Sequence, residues 1–148
     1  MEIDPRGPRF GALITTVVFA VCLVIGGAHP AAAAALLAFQ AVVFGIGTFA
    51  GLRRAPYGLI YKAVIRPRLG PPAELEAEAP PRFAQGVGFV IAILGVAGYG
   101  AGIMALGVTA AVLGLIAAFL NGVFGLCLGC EMYLLIRRIA PAPGTGAG

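Results

Sequence analysis

Two cysteines near the end of the chain, Cys127 and Cys130, are separated by two residues and followed at once by Glu131. Residues three apart share one face of a helix, so the two sulfurs can meet. A CxxC pair is the spacing found at sites of dithiol–disulfide exchange. We therefore treat Cys127 as the candidate attacking thiolate, Cys130 as the resolving thiol, and Glu131 as a group that modulates their protons.

Little else in the sequence offers competing chemistry. Cys22 lies deep in an apolar stretch, where a thiol usually acts as a small apolar filler. A structural zinc site needs four ligands, but only Glu131 accompanies the cysteine pair and the single histidine, His29, belongs to a distant loop. We therefore predict no metal site and no nucleic-acid partner. No sequence feature requires a cofactor. A quinone is a candidate electron acceptor.

The elements that must position the cysteine pair are membrane helices. Of the 148 residues, 60% are hydrophobic and only 11% are charged, and the mean hydropathy is +1.00. Soluble domains carry about 25% charged residues, so an ordinary soluble domain is excluded. No residue is charged between Arg9 and Arg53, and only Glu131 is charged between Arg82 and Arg137. Each stretch is long enough for two crossings of about 20 residues.

These stretches predict an all-α membrane protein with four transmembrane helices, arranged as two antiparallel hairpins. Helix breakers around residues 26–30 and 98–102 divide the two stretches. The predicted spans are residues 10–27, 31–51, 83–99 and 104–125, and the predicted surface segments are residues 56–66 and 126–138. Together they form one membrane domain over residues 1–140, followed by a disordered tail over residues 141–148.

The positions of the basic residues predict the orientation. With four spans, the N-terminus, the middle loop and the C-terminus share one side, and all 10 Lys and Arg residues lie on it. The positive-inside rule makes that side cytoplasmic. The abundance of Ala, Gly, Pro, Val and Arg is typical of a GC-rich bacterial genome. We therefore expect a multi-pass protein of the bacterial cytoplasmic (inner) membrane with both termini in the cytoplasm, where exposed thiols are kept reduced.

The length of the last apolar stretch places the cysteine pair at the membrane boundary. As one helix, residues 104–136 would be about 50 Å long, whereas the hydrocarbon core is about 30 Å thick. The crossing therefore ends near Gly125, where several glycines permit a bend. The remainder either lies along the surface or projects inward. If a helix restarts after Gly125, its N-terminus stabilises the thiolate of Cys127, whereas the negative charge of Glu131 destabilises that thiolate.

The middle loop begins with an amphipathic segment at residues 56–66. Aromatic and basic residues around an apolar strip are typical of a helix at the headgroup level, where each basic residue is attracted to anionic lipid by about 1 kcal/mol. Anchoring to lipid is the main interpretation, and docking of a cytoplasmic partner is the alternative. The candidate lipid-surface or partner-binding residues are Arg53, Arg54, Tyr57, Tyr61, Lys62, Arg66 and Arg68.

We single out three polar residues within the apolar stretches: Gln40, Asn121 and Glu131. Gln40 and Asn121 are expected to form hydrogen bonds between helices in the bundle core. Glu131 is a functional candidate because charge at membrane depth is rare, and a pair with a basic residue of the middle loop is the alternative. Stripes of glycine predict close helix packing within one bundle, with a homodimer face as the alternative.

A set of short motifs spread over the chain resembles one family, an uncharacterised bacterial membrane family known as domain of unknown function 4395. The motifs are IDPRGPRF at residues 3–10, FQA at 39–41, GLRR at 51–54, RPRLGPP at 66–72, PRFAQG at 81–86 and FGLCLGCE at 124–131. The genes of its relatives tend to lie beside those of thioredoxin-like and sulfurtransferase proteins. The resemblance therefore implies thiol or sulfur chemistry at Cys127 and Cys130.

Three hypotheses of function follow. The first is a membrane protein whose cytoplasm-facing CxxC dithiol takes part in thiol–disulfide or sulfur-transfer chemistry with a thioredoxin-like or sulfurtransferase partner, as a component of a membrane oxidoreductase. The second is a non-catalytic scaffold or assembly subunit whose cysteines only pack. The third is a transporter of small sulfur compounds, although the predicted spans offer little of the polar lining it would need.

Overall fold

The computed structural model describes residues 2–140, and the predicted tail at residues 141–148 lies outside this range. The α-helices in the described range are α1 (Arg6–Gly26), α2 (Pro30–Gly45), α3 (Pro56–Ile60), α4 (Arg66–Leu69), α5 (Ala79–Gly100), α6 (Met104–Phe124) and α7 (Leu128–Ile139). π-Helical turns at Ile46–Ala50 and Tyr61–Ile65 extend α2 and join α3 to α4, and a 3₁₀ turn spans Leu52–Arg54. Two short strands, β1 (Glu2–Ile3) and β2 (Glu76–Ala77), pair antiparallel.

Four helices are long and apolar enough to cross a membrane, as the sequence predicted. They are α1, α2 with its π-helical turn, α5 and α6, each of 21 or 22 residues with a mean hydropathy between 1.6 and 2.1. At 1.5 Å per residue each is about 30 Å long, which matches the hydrocarbon core. Two of them begin four residues earlier than predicted, at Arg6 and Ala79, because a helix continues beyond the hydrocarbon where charged side chains are hydrated.

The four long helices pack in a ring in which α1 and α5 each contact both α2 and α6. The Sγ atom of Cys22 lies 3.8 Å from the carbonyl oxygen of Ala33, and Thr15 contacts Gln40, so α1 and α2 run in opposite directions. Cys22 is fully buried in this core, which fits the apolar role expected for it. The core side chains are Phe19, Cys22, Ala33, Leu37, Ala41, Phe44, Ala92, Tyr99 and Ala111.

Glycines bring the helix backbones close together. A Cβ atom added at Gly98 of α5 would collide with the backbone of Gly107 of α6. Gly107 itself faces the ring of Tyr99, and Gly114 faces the ring of Phe19. The predicted stripe of small residues on α6 is therefore used for contacts within one bundle.

The N-terminal segment is tied to the middle loop at one end of the bundle. Glu2 and Ile3 pair with Ala77 and Glu76 across the short ladder of β1 and β2. The sequence analysis assigned no element to this part of the middle loop, because a ladder of two residues per strand leaves no hydrophobic periodicity to detect. As a result, the start of α1 and the start of α5 are held beside each other.

We predict that Gly98→Ala destabilises the bundle, since the added methyl group has no space between the backbones of α5 and α6. Overpacking of this kind costs about 1–3 kcal/mol, more than the gain in helix propensity. The matched control is Gly100→Ala on the same helix, where the nearest atom is 4.0 Å away. Thermal unfolding in detergent compares the two variants, and equal melting temperatures would contradict this packing.

Candidate functional site

A break between α6 and α7 positions the cysteine pair. α6 ends at Phe124, and Gly125 adopts the left-handed conformation with φ of 71°, which glycine reaches without a steric penalty. Its N–H donates to the carbonyl of Asn121 at 3.0 Å, and the N–H of Leu126 donates to Leu120 at 3.1 Å. α7 then begins at Leu128, so the bend expected near Gly125 is present.

Cys127 and Cys130 are joined by a disulfide bond in this structure, with Cα atoms 5.1 Å apart. Cys127 is the N-cap residue of α7, and its Sγ atom accepts a hydrogen bond from the backbone N–H of Cys130 at 3.1 Å. The sulfurs therefore meet, as the spacing predicted. The structure holds the pair as a disulfide, and the reduced dithiol expected in the cytoplasm stays a prediction. Both residues are half-buried.

α7 is fixed against the start of α5. A Cβ atom added at Gly129 would lie 2.6 Å from the Cβ atom of Ala84, so the two helices touch at this point. The rings of Phe83 and Tyr133 pack with centroids 5.7 Å apart. Gly129, which the sequence analysis treated only as a residue that permits a bend, provides a close approach that holds the cysteine pair against the bundle.

A cavity of about 570 Å³ lies beside the disulfide, between the starts of α1 and α5, the end of α6 and α7. Asn121 was expected in the bundle core, but it is half-buried and lines this cavity. Glu131 is exposed at the cavity and has no cation within 4 Å in residues 2–140, so the alternative role, a pair with a basic residue of the middle loop, is not formed. The charged and amide side chains of the lining are Arg6, Arg9, Glu76, Gln85, Asn121 and Glu131.

Sequence reasoning missed four of these residues, Arg6, Arg9, Glu76 and Gln85, of which Arg9 and Gln85 lie at the ends of predicted spans. The guanidinium of Arg9 donates to the carbonyl of Val123 at 3.4 Å and lies against Gly125, so it sits over the end of α6. Gln85 lies in the first two turns of α5. Their signal was present in the sequence, since both are polar residues at the predicted ends of spans, but only the fold brings them beside the cysteines.

A second polar cluster occupies the same end of the bundle, inside the ring of helices. Gln40 is fully buried; its Oε1 accepts from the hydroxyl of Tyr57 at 2.8 Å, and its Nε2 lies 3.4 Å from Thr15 Oγ1. Burial raises the pKa of Tyr57, so its hydroxyl remains a donor. The prediction that Tyr57 faces the lipid surface is wrong, because this hydrogen bond turns its ring inward.

Tyr61 is also buried, so its assignment to the lipid surface is wrong as well. Its hydroxyl donates to Asp4 at 2.9 Å, and Asp4 also accepts from the guanidinium and the backbone N–H of Arg6. Burial alone would raise the pKa of Asp4, but the hydrogen bonds from Arg6 and Tyr61 outweigh it and hold the pKa below its usual value. Arg66 is half-buried, 3.9 Å from the same carboxylate. The remaining candidates of the middle loop are exposed: Arg53, Arg54, Lys62 and Arg68.

We predict that mild oxidation of the purified protein bridges Cys127 to Cys130 within one chain and leaves Cys22 as a free thiol, because Cys22 is buried among α1 and α2. Mass-spectrometric mapping after alkylation measures the outcome. Cys22→Ser is the control and should give the same bridge. Bridges between chains, or a bridge that includes Cys22, would contradict this geometry.

Comparison with known proteins identifies the family of this chain. The family model described as Domain of unknown function (DUF4395) matches residues 3–138, nearly the whole chain. None of the curated proteins and none of the solved structures matches. The resemblance found in the short motifs is thus confirmed over the entire four-helix domain. The chain belongs to the DUF4395 family.

Proposed function

We propose that this protein is a membrane component of thiol–disulfide exchange or sulfur transfer, with Cys127 and Cys130 as its reacting residues. The observation that carries the proposal is the geometry of the pair. The two sulfurs are at bonding distance, half-buried rather than sealed in the core, and beside a polar cavity of about 570 Å³. Cys22, by contrast, is enclosed in the core and available to no partner.

The exchange reaction balances with these two residues and a partner disulfide. The thiolate of Cys127 attacks one partner sulfur, the partner S–S bond breaks, and a mixed disulfide forms as the other partner sulfur leaves as a thiolate. The thiol of Cys130 then loses its proton and attacks Cys127, which closes the bridge and releases the partner with both thiols reduced. The N–H of Cys130 stabilises the Cys127 thiolate at the start of α7. Glu131 is exposed beside the pair, and its proposed role is to modulate the protons of the two thiols.

We propose that the partner is a thioredoxin-like or sulfurtransferase protein that approaches from the cytoplasm. β1, the middle loop and α7 gather at one end of the bundle, and that end carries the basic residues. By the positive-inside rule it faces the cytoplasm of a bacterial inner membrane. The exposed basic side chains of the middle loop contact anionic headgroups or the partner: Arg53, Arg54, Lys62 and Arg68.

A structural role for the disulfide is the second candidate. It is favoured by the contact between Gly129 and Ala84, because a bridge in the first turn of α7 would hold that helix against α5. In this case the cysteines act as a staple, and the protein is a scaffold or assembly subunit. The two candidates differ in whether Cys127 reacts with an external sulfur.

We predict that Cys130→Ser accumulates a mixed disulfide between Cys127 and a partner protein, because the resolving thiol is missing. The variant is expressed in its native cells, thiols are blocked by acid quenching, and the adduct is isolated and identified by mass spectrometry. Cys127→Ser is the matched control and should capture at least about tenfold less. Equal capture by both variants, or by neither, would support the staple.

We predict that a reporter active only in the cytoplasm works both when fused after Arg138 and when inserted at Glu76. The two sites lie in the last turn of α7 and in β2, at the end of the bundle where the N-terminal segment also lies. A reporter inserted at His29, in the turn between α1 and α2, is the control and should be inactive. Activity at only one of the first two sites would contradict the four-span orientation.

A further inference from the structure

A second cavity, of about 400 Å³, adjoins the buried cluster of Gln40, Thr15 and Tyr57. These three side chains form its polar floor, and Val43 and Phe44 of α2 are part of its apolar wall. The thiol–disulfide chemistry proposed above uses none of them.

The floor of this cavity offers a hydrogen-bond donor. Thr15 gives its hydrogen to the carbonyl of Gly11 at 2.8 Å, and Tyr57 gives its hydrogen to Gln40 Oε1. The Nε2 of Gln40 carries two hydrogens, and its one contact among residues 2–140 is Thr15 Oγ1 at 3.4 Å. One N–H of this fully buried side chain therefore has no acceptor among residues 2–140, and burying such a group beside a methylene chain would be costly.

The rim of the cavity carries charges of both signs, since Glu2, Asp4 and Arg66 also line it, and Asp4 is paired with Arg6 and Arg66. Arg53 and Lys62 line it, both are exposed, and neither has a carboxylate within 4 Å in the described chain. Gln40 lies ten residues before the end of the second span at Ala50, so the floor is about 15 Å deeper than the rim. The cavity thus presents donors at both ends, with apolar and aromatic side chains between them.

We propose that this cavity binds the head of a membrane-soluble quinone. A quinone ring carries a carbonyl acceptor at each of two opposite ends, has no donor, and has apolar faces, so it matches donors at floor and rim. The side chain of Gln40 would donate to the inner carbonyl, and Arg53 or Lys62 to the outer one. An anionic phospholipid fits less well, because its acyl chain has no acceptor for the buried N–H of Gln40.

The position of the cavity suggests what the quinone does, and this part rests on the proposed function. Pro8 and Gln85 line both this cavity and the one beside the disulfide, so the two cavities adjoin. When the exchange runs in the reverse direction, a partner dithiol reduces the Cys127–Cys130 bridge and leaves as a disulfide. Oxidation of the resulting Cys127–Cys130 dithiol breaks two S–H bonds, forms one S–S bond and releases two electrons and two protons. The quinone takes up the two electrons, and its two carbonyl oxygens take up the two protons. One quinol therefore forms for each disulfide.

Binding is tested separately from electron transfer. The full chain carrying Cys127→Ser and Cys130→Ser is purified in detergent, and equilibrium dialysis measures binding of a fully substituted benzoquinone with one isoprenoid unit. We expect one saturable site per chain. Adding Gln40→Met should weaken binding about three- to tenfold through the lost hydrogen bond, and adding Arg53→Gln about threefold. The matched control is Arg54→Gln, whose side chain does not line the cavity and should leave the Kd unchanged.

Gln40 is buried, so thermal unfolding checks that its variant is folded; if it is not, the comparison of Arg53→Gln with Arg54→Gln decides alone. Absence of saturable binding, equal Kd values for those two variants, or displacement of the quinone by phosphatidylglycerol would overturn the site. Electron transfer is measured by mixing the reduced wild-type protein with the same quinone, where one quinol per disulfide is expected. Binding without quinol formation by a protein that still exchanges thiols overturns only the electron step. If the protein binds the quinone but its cysteines do not exchange with any partner disulfide, the proposed function is overturned and the quinone site is retained.

Discussion

The thickness of the bilayer and one left-handed glycine together determine where the sulfurs of Cys127 and Cys130 lie. The apolar sequence that begins at Met104 is too long for a single crossing of about 30 Å. Gly125 ends α6 after 21 residues and turns the chain, which L-residues with a side chain rarely do at φ of 71°. Without this break, Cys127 would lie inside a continuous helix with its backbone N–H groups satisfied. With it, Cys127 is the N-cap residue of a new helix at the end of the bundle.

The same end of the bundle is assembled from segments far apart in sequence. Asp4 joins the start of α1 to the middle loop through Arg6 and Tyr61, and Arg6 also donates to the carbonyl of Gly70 at 2.8 Å. Arg82 of α5 donates to the carbonyl of Thr48 at 2.7 Å, near the end of the second span. These contacts fix the walls of both cavities, so each candidate site depends on the N-terminal segment and the middle loop as much as on its own helix.

Much of the fold could be predicted from the sequence, because membrane helices leave a strong one-dimensional signal. Two uncharged stretches gave four spans, and the excess length after Met104 gave the break near Gly125. Of the site, the sequence predicted only the residues that are close neighbours in the chain, namely the cysteine pair and Glu131. Arg9 lies near the start of the chain and Gln85 lies at the start of α5, whereas the cysteines follow α6. No rule of local spacing therefore brings these residues together.

The middle loop shows the limit of pattern reasoning most clearly. Aromatic and basic residues in an amphipathic segment fit a helix on lipid, yet Tyr57 and Tyr61 are buried. Their hydroxyls reach Gln40 and Asp4, 17 and 57 residues away in sequence. A tyrosine at a headgroup and a tyrosine that donates to a buried acceptor have the same local pattern, and only the tertiary partner distinguishes them. Lys62, with no such partner in the described residues, remains exposed as predicted.

The central claim is that the Cys127–Cys130 pair cycles between dithiol and disulfide. A redox titration of the purified protein in glutathione buffers, with alkylation and mass spectrometry to count free thiols, tests it directly. We predict one reversible two-electron transition for this pair, in which the ratio of disulfide to dithiol changes tenfold for about every 30 mV. We predict no transition for Cys22. A pair that stays fully bridged across all folded-state buffers, or never forms a bridge, would contradict the account.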